Sequence, residues 1–175
     1  MRILLIEDDD EQARFSAEVL KERLPATTVE VIPTESAFRA ALPRLVGEPP
    51  DIAIIDVMLR WADPSPNVPP RPPDVTRQGL YRAGLRVQKM LEQNETTRHV
   101  PVILYTALDP TSLQRELSEC PPNVTCLSKR SDPQDLVRLV RSMACVSPEL
   151  ASLLDQSQQV AQGRLFISYS HRDSH

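Results

Sequence analysis

Five short runs rich in aliphatic residues, separated by longer amphipathic stretches, constrain the fold of this chain most strongly. The runs are Arg2–Glu7, Thr28–Pro33, Ile52–Val57, Pro101–Thr106 and Val124–Lys129. Such alternation is typical of strands and helices that follow one another and build a parallel sheet. The first, third and fourth runs are almost wholly aliphatic, as in strands covered on both faces, whereas the second and fifth suit sheet edges.

Helices are predicted between these strands, where apolar residues recur at helical spacing. They are Glu11–Leu24, Glu35–Leu45, Ala83–Gln93, Thr111–Glu119 and Pro133–Met143. Asp132 is the expected N-cap of the last helix and Pro133 its first residue. Its apolar stripe consists of Leu136, Val137, Leu139 and Val140. We expect Asp9 and Asp10 to cap and open the first helix, and we assign them no chemistry.

The overall composition narrows the classes of function. A length of 175 residues fits one domain with a tail, and the net charge of −4 gives no electrostatic reason to expect nucleic acid as a partner. No stretch approaches the ~18 apolar residues of a membrane span, so we expect a cytoplasmic chain. Cys120, Cys126 and Cys145 lack the spacing of metal ligands, which predicts reduced, buried thiols.

A proline-rich stretch interrupts the alternation between the third strand and the third helix. Within Arg60–Arg82, six of the chain's 17 prolines lie within ten residues. Proline lacks an amide hydrogen and is disfavoured in the interior of helices and central strands, most strongly where several prolines lie close together. We therefore expect Arg60–Arg82 to be an extended, polyproline-like surface loop.

Polar side chains end four of the five predicted strands. Glu7 and Asp8 follow the first, Asp56 lies at the end of the third, Thr106 ends the fourth and Lys129 the fifth. The crevice beyond the carboxyl ends of parallel strands is where such sheets bind ligands. Three carboxylates there would repel one another unless a cation neutralised them, and hard oxygen ligands suit Mg²⁺. An aspartate that closes an aliphatic run is also costly to bury without a function.

Four segments resemble, in order and spacing, the receiver domain of bacterial two-component response regulators. They are "ILLIEDD", "DIAIIDVML", "VPVILYTAL" and "CLSK". The resemblance covers about residues 1–145. It implies an α/β, flavodoxin-like, doubly wound fold: a five-stranded parallel sheet in the order 2-1-3-4-5 with helices on both faces.

The resemblance also implies roles for the polar residues. Asp56 would accept a phosphoryl group, Thr106 would be the switch hydroxyl, and Lys129 would contact the phosphate. The implied Mg²⁺ ligands are Asp8 directly, Glu7 through water, Asp56, and Met58 through its backbone carbonyl. The physical logic agrees, because Mg²⁺ and a lysine offset charge on the oxygens while an acyl phosphate forms.

The implied biology is a signalling switch rather than an enzyme, with only self-phosphorylation and autodephosphorylation at Asp56. The phosphodonor would be a sensor histidine kinase or a histidine phosphotransfer protein. A homodimer is possible, and neither nucleic acid nor a membrane is an expected partner. Rotation of Thr106 towards the phosphoryl group would bias a bistable surface towards a partner.

Several positions depart from the family pattern. Arg130 replaces the usual proline after the lysine, Cys126 replaces an aromatic residue, and Arg60 replaces another proline. The glycine that opens the third helix is best matched by Gly84, about twenty residues late. These departures favour an alternative, a phosphorylation-independent pseudo-receiver that acts as a dimerisation or interaction adaptor. An aspartyl hydrolase ranks last, because Met58 stands where the haloacid-dehalogenase pattern has a second acid.

The extra residues border Asp56, and their role is open. They could shield the acyl phosphate from water, select the kinase, or dock a partner through "PPRPP". They could equally be a tolerated loop, since long insertions cost little closure entropy.

The C-terminal part is predicted to begin an output. Residues 146–163 read as a linker or short helix, and too few residues follow Met143 for a winged helix. Arg164–His175, "RLFISYSHRDSH", resembles the first strand of a Toll/interleukin-1 receptor (TIR) domain. We therefore expect a truncated TIR-like output that is switched from Asp56.

Overall fold

Five strands in the described part of the chain form one parallel sheet. The computed structural model describes residues 1–108 and 122–144. The strands are β1 (Arg2–Ile6), β2 (Thr28–Ile32), β3 (Ile52–Ile55), β4 (Val102–Thr106) and β5 (Val124–Ser128). Their order is β2-β1-β3-β4-β5, and every neighbouring pair is parallel. The predicted strand order is confirmed.

The helices in the same residues are α1 (Asp10–Arg23), α2 (Glu35–Gly47), α3 (Pro73–Gln78), α4 (Ala83–Glu92) and α5 (Pro133–Ala144). Apart from α3, each lies within two residues of its predicted bounds. The chain divides into two compact units, Met1–Val140 and Arg141–His175, and the second is described only at the end of α5. The predicted helix Thr111–Glu119 and the segments 146–163 and 164–175 lie outside the described residues.

Aspartates cap two helices as predicted. The carboxylate of Asp9 accepts a hydrogen bond from the Gln12 amide at 2.9 Å, and Asp10 lies in the first turn of α1. The carboxylate of Asp132 accepts a backbone amide at 2.8 Å in the turn where Pro133 begins α5. Each cap satisfies an amide that has no partner within the helix.

Apolar residues cover both faces of the sheet. One face packs against α2 and α4 in a core that includes Leu4, Ile6, Phe38, Leu45, Ala53, Ile55, Val87, Leu91, Val102 and Leu104. The alternate strand residues are equally buried, among them Ile3, Leu5, Ile54 and Ile103. Because successive strand residues point to opposite faces, the second face is covered as well, and α1 contacts β1 and β2 there.

The prediction that Arg60–Arg82 is extended throughout is wrong for its last ten residues, 73–82. Pro73 begins α3, and a 3₁₀ turn at Leu80–Arg82 leads directly into α4. Proline is tolerated at the first helical position because its missing N–H would have no partner there. Gly79, with φ 73°, ends α3, and its amide donates to the carbonyl of Val75 at 3.0 Å.

The earlier part of the insertion is a surface loop, as predicted, but it is anchored. Residues 63–71 are exposed and contain neither helix nor strand. Trp61, only 5% exposed, donates from Nε1 to the carbonyl oxygen of Pro69 at 2.7 Å. Val75 of α3 is also buried. Two buried apolar side chains therefore hold the insertion against the domain.

Two further predictions concern membranes and thiols. Among the described residues, no helix combines the length and apolar character needed to cross a membrane. Cys120 and Cys145 lie outside those residues. Cys126 on β5 is half-buried against the core, whereas we expected a fully buried thiol.

Candidate functional site

The predicted site residues meet at the carboxyl edge of the sheet. Glu7 directly follows β1 and Asp56 directly follows β3, and the Asp56 amide donates to the carbonyl oxygen of Ile6 at 2.9 Å. Thr106 ends β4, and its carbonyl accepts the amide of Lys129 at 2.9 Å just after β5. Four parallel strands thus deliver acid, acid, hydroxyl and amine to one edge.

Three carboxylates cluster there. One oxygen each from Glu7, Asp8 and Asp56 can be chosen so that all three lie within 4.8 Å of one another. Glu7 is 2% exposed and Asp56 is 8% exposed, whereas Asp8 is half-buried. Because these carboxylates are close together and two of them are shielded from water, they require cations to balance their negative charge.

Lys129 supplies one of these cations. Its Nζ lies 2.5 Å from Oδ2 of Asp56 and 2.6 Å from Oε2 of Glu7. The ammonium therefore bridges the two most buried acids of the cluster. An ammonium with three donors suits such a bridge, because each bond to an ionised carboxylate is charge-assisted.

Burial and ion pairing act in opposite directions on the pKa values of Glu7 and Lys129. Burial raises the pKa of Glu7, and the ion pair with Lys129 offsets this effect only in part. Burial alone would lower the pKa of Lys129, but the hydrogen bonds and charges of Asp56 and Glu7 outweigh it and raise the pKa. Lys129 is therefore positively charged at neutral pH, and its ammonium group can form an ion pair with an additional anion.

Arg60 supplies the second cation. Its backbone amide and its Nε donate to Oδ2 of Asp8 at 3.0 and 3.1 Å, and its Nη2 donates to the Asp8 carbonyl oxygen. The sequence marked Arg60 only as a departure from the family pattern. A basic residue four positions after Asp56, facing an acidic pair, was the signal that could have identified this contact.

Met58 is hydrogen-bonded to Asp56, and Thr106 lies at the end of β4. The Met58 amide donates to Oδ1 of Asp56 at 3.2 Å, while its side chain is 41% exposed. Thr106 is 2% exposed, and its hydroxyl accepts a hydrogen bond from the Leu108 amide at 3.3 Å. The hydroxyl is thus held by the loop that follows β4.

A network that the sequence did not reveal joins the insertion to α2 and α4. Glu35 is fully buried and binds Arg86 through both carboxylate oxygens, with the shortest contact at 2.5 Å from Nη2. Arg39 also donates to Glu35, at 2.8 Å, and to Asp74 of α3. The Arg39 guanidinium lies 5.6 Å from the ring centroid of Trp61, a cation–π distance. Only the pair of Arg39 with Glu35 joins residues that are close in sequence, which is why the sequence did not reveal this network.

The acidic cluster fits a magnesium ion in its chemistry. Glu7, Asp8 and Asp56 offer hard oxygen atoms close together, which is the donor type that Mg²⁺ prefers. Lys129 contacts Glu7 and Asp56, and Arg60 contacts Asp8, so a metal ion at this cluster would meet two side-chain cations.

Comparison with known proteins establishes the fold. No protein-family model matches the chain, and no curated protein matches it. Among solved structures, it resembles the receiver domain of a signal transduction histidine kinase from Syntrophus aciditrophicus at 24% identity, with a TM-score of 0.60 over 84% of this chain and 92% of that one. A receiver domain of a DNA-binding response regulator from Colwellia psychrerythraea is 19% identical, with a TM-score of 0.59 over 82% and 97%.

The receiver domain of a Francisella response regulator is also similar, at 19% identity and a TM-score of 0.57 over 82% of this chain and 95% of that one. The described part of this chain therefore has the fold of receiver domains. None of these three structures supports the TIR resemblance of residues 164–175.

Proposed function

We propose that this chain is the phosphoacceptor receiver domain of a bacterial response regulator, a switch in two-component signalling rather than an enzyme with a separate substrate. The observation that carries the proposal is the bridge from Lys129 to Asp56 and Glu7, at 2.5 and 2.6 Å, on the carboxyl edge of a receiver fold. The donor would be a cytoplasmic histidine kinase or histidine phosphotransfer protein.

Asp56 would act as the nucleophile. Its Oδ1 is held by the Met58 amide and its Oδ2 by Lys129, which orients the carboxylate before a donor arrives. An Asp56 oxygen bonds to phosphorus while the phosphorus–nitrogen bond of the donor phosphohistidine breaks. The imidazole leaves with that electron pair and takes a proton from solvent, and Asp56 becomes an acyl phosphate.

Positive charge around the transferred group would come from two sources. Lys129, already charged and 2.5 Å from Asp56, would move its ammonium onto a phosphoryl oxygen. Asp8, Asp56, the Met58 carbonyl and, through water, Glu7 would hold Mg²⁺, whose charge would stabilise the oxygens of the group in transfer. The deep burial of Glu7 limits the screening of its own charge and of the adjoining Lys129 ammonium by water.

Thr106 would report the modification. Its buried hydroxyl now accepts the Leu108 amide, and a turn towards a phosphoryl oxygen would break that 3.3 Å hydrogen bond. The described turn at Thr106–Leu108 would then adopt a second arrangement, which is the kind of bistable element that a switch requires. A TIR-like output in residues 164–175 stays a prediction.

A phosphorylation-independent adaptor is the second candidate, and one contact favours it. Asp8, a proposed metal ligand, is already bound by the Arg60 side chain at 3.1 Å. If this ion pair is permanent, the chain keeps the fold without the metal that the transfer needs.

One experiment separates the two candidates. The wild type, Asp56→Asn and Asp10→Asn are incubated with Mg²⁺ and acetyl phosphate, and intact masses are compared. Asp10 is exposed in the first turn of α1. Asp10→Asn is the control, because it removes one negative charge near the site, as Asp56→Asn does. We expect the wild type and Asp10→Asn to gain one phosphoryl group and Asp56→Asn to gain none. An unchanged wild-type mass would leave the adaptor as the function.

A further inference from the structure

Arg60 is attached to Asp8 by both its main chain and its side chain. The amide and Nε each donate to the same oxygen, Oδ2, at 3.0 and 3.1 Å. The Arg60 side chain is nevertheless 42% exposed, and that of Asp8 is 19% exposed. The guanidinium therefore reaches into the acidic cluster from its solvent side.

The main chain at Arg60 is fixed independently of the guanidinium. The Arg60 carbonyl accepts the Glu35 amide at 3.1 Å, and the Trp61 carbonyl accepts the Ser36 amide at 2.8 Å. Both donors are at the N-terminal end of α2, where amides have no partner within the helix. The guanidinium can thus leave Asp8 without undoing the backbone at the root of the insertion.

A second acid is available to the displaced side chain. Asp63, 60% exposed, lies three residues further along, with its Oδ1 3.9 Å from Nη2 of Arg60. An open cleft of about 410 Å³ lies beside Asp8 and Arg60 and is also lined by Asp9, Asp10 and Glu11. A cation from solvent is attracted into this acidic cleft and meets Asp8 at its edge.

The charges of the cluster divide between two cations of the chain itself. Lys129 bridges Glu7 and Asp56, which leaves Asp8 to Arg60. Two donors of Arg60 occupy Oδ2 of Asp8, one of the two oxygens that this carboxylate could offer to a divalent cation. A divalent cation bound to Asp8 would also repel the positively charged guanidinium of Arg60 beside it.

We propose that Arg60 is a built-in competitor for divalent metal at Asp8, so that a metal ion binds only by displacing the guanidinium towards Asp63. The inference rests on the proposed function, since it takes Asp8 as a metal ligand. Arg60 then has a positioning role. It sets the metal concentration at which Asp56 can be phosphorylated, and it does not take part in the phosphoryl transfer itself.

Isothermal titration calorimetry of the metal-free protein with MgCl₂ tests the proposal. We expect Arg60→Gln to bind Mg²⁺ about fivefold more tightly or better, which corresponds to the loss of one partly exposed ion pair. Arg71→Gln is the matched control, because Arg71 is exposed in the same insertion and the change in net charge is identical. Its affinity should equal that of the wild type, and Asp8→Asn should lose binding.

Arg60→Lys adds a second test that keeps the charge. A lysine lacks the Nε and Nη2 donors that grip Asp8, so its affinity for Mg²⁺ should lie between those of the wild type and Arg60→Gln. Circular dichroism melts verify that each variant is folded before titration.

The outcomes separate this inference from the proposed function. Equal or weaker Mg²⁺ binding by Arg60→Gln, with phosphorylation of Asp56 intact, overturns the role of Arg60 and leaves the receiver function standing. Absence of Mg²⁺ binding in the wild type, Arg60→Gln and Arg71→Gln overturns both. Tighter binding by Arg60→Gln and Arg71→Gln alike shows a general charge effect and also overturns the role of Arg60.

Discussion

Gly84 lies so close to Asp56 that a Cβ atom on Gly84 would stand 2.1 Å from the carbonyl oxygen of Asp56. The Gly84 amide also donates to the carbonyl of Val57 at 2.9 Å. The first turn of α4 therefore rests on the backbone beside the proposed phosphoacceptor. A glycine is required because backbone, unlike a flexible side chain, cannot move aside cheaply.

Gly84→Ala should destabilise the domain by about 1–3 kcal/mol or more, because the methyl group overlaps main-chain atoms and α4 must shift. Urea unfolding measures the loss. Gly47→Ala is the control, since a Cβ there would meet nothing within 4 Å. Equal stability of the two variants would contradict the close approach of α4 to Asp56.

Lys129→Met should lower the free energy of unfolding at neutral pH, because Glu7 and Asp56 would face each other without their shared cation. Added Mg²⁺ should recover more stability in this variant than in the wild type, since the metal replaces the missing charge. Thermal melts with and without MgCl₂ measure both the loss of stability and its recovery by the metal ion. Lys89→Met, an exposed lysine of α4, serves as the control. An equal response to Mg²⁺ in all three proteins would argue against a metal site at these acids.

Arg86→Met should cost about 3 kcal/mol or more of stability, because the fully buried Glu35 loses its main partner. Replacing both residues, Glu35→Leu with Arg86→Met, should cost less than Arg86→Met alone, since no charge is left buried. Arg77→Met, an exposed change in α3, should be nearly neutral. Additive losses in the double variant would show that the pair is not coupled.

Asp74→Asn should loosen α3 with only a small effect on global stability, because the Asp74 side chain is 38% exposed. Burial alone would raise the pKa of Asp74, but the hydrogen bond and charge of Arg39 outweigh it, and the pKa is lowered from 3.8. This contribution is therefore present above pH 3.8 and is lost as the pH falls through the lower, folded-state pKa.

Limited proteolysis of the insertion measures the loosening near neutral pH. We expect Asp74→Asn to be cut faster than the wild type and than Glu95→Gln, which removes an exposed acid elsewhere. In urea unfolding, the small difference between Asp74→Asn and the wild type should vanish as the pH falls below 3.8. A difference that persists at low pH would mean that the Arg39 ion pair does not hold α3.

The sheet and most of its helices were predictable because their signals are local. A buried parallel strand needs a continuous aliphatic run, such as Ile52–Ile55, and an amphipathic helix needs apolar residues at its own period, as in Leu136, Val137 and Val140. Register and order then bring the strand ends to one edge. The pattern of strand ends is therefore sufficient to place Glu7, Asp56, Thr106 and Lys129 together.

The insertion was only partly predictable. Six prolines within ten residues correctly predicted the absence of regular structure up to Pro73. The prediction of an extended loop was wrong beyond that residue. Proline at the first helical position is compatible with a helix, and α3 begins there. Its docking depends on the ion pair of Arg39 with Asp74, and a pair that spans 35 residues leaves no periodic trace in the sequence.

The sequence by itself determined the parallel sheet and the set of groups at its carboxyl edge, because hydrophobic period and strand ends are local properties. Only the tertiary structure decided which cation meets which acid. Lys129 pairs with Asp56 across 73 residues and Arg60 with Asp8 across 52. Such choices depend on the path of loops and on how deeply each charge is buried. A linear pattern does not specify either of these.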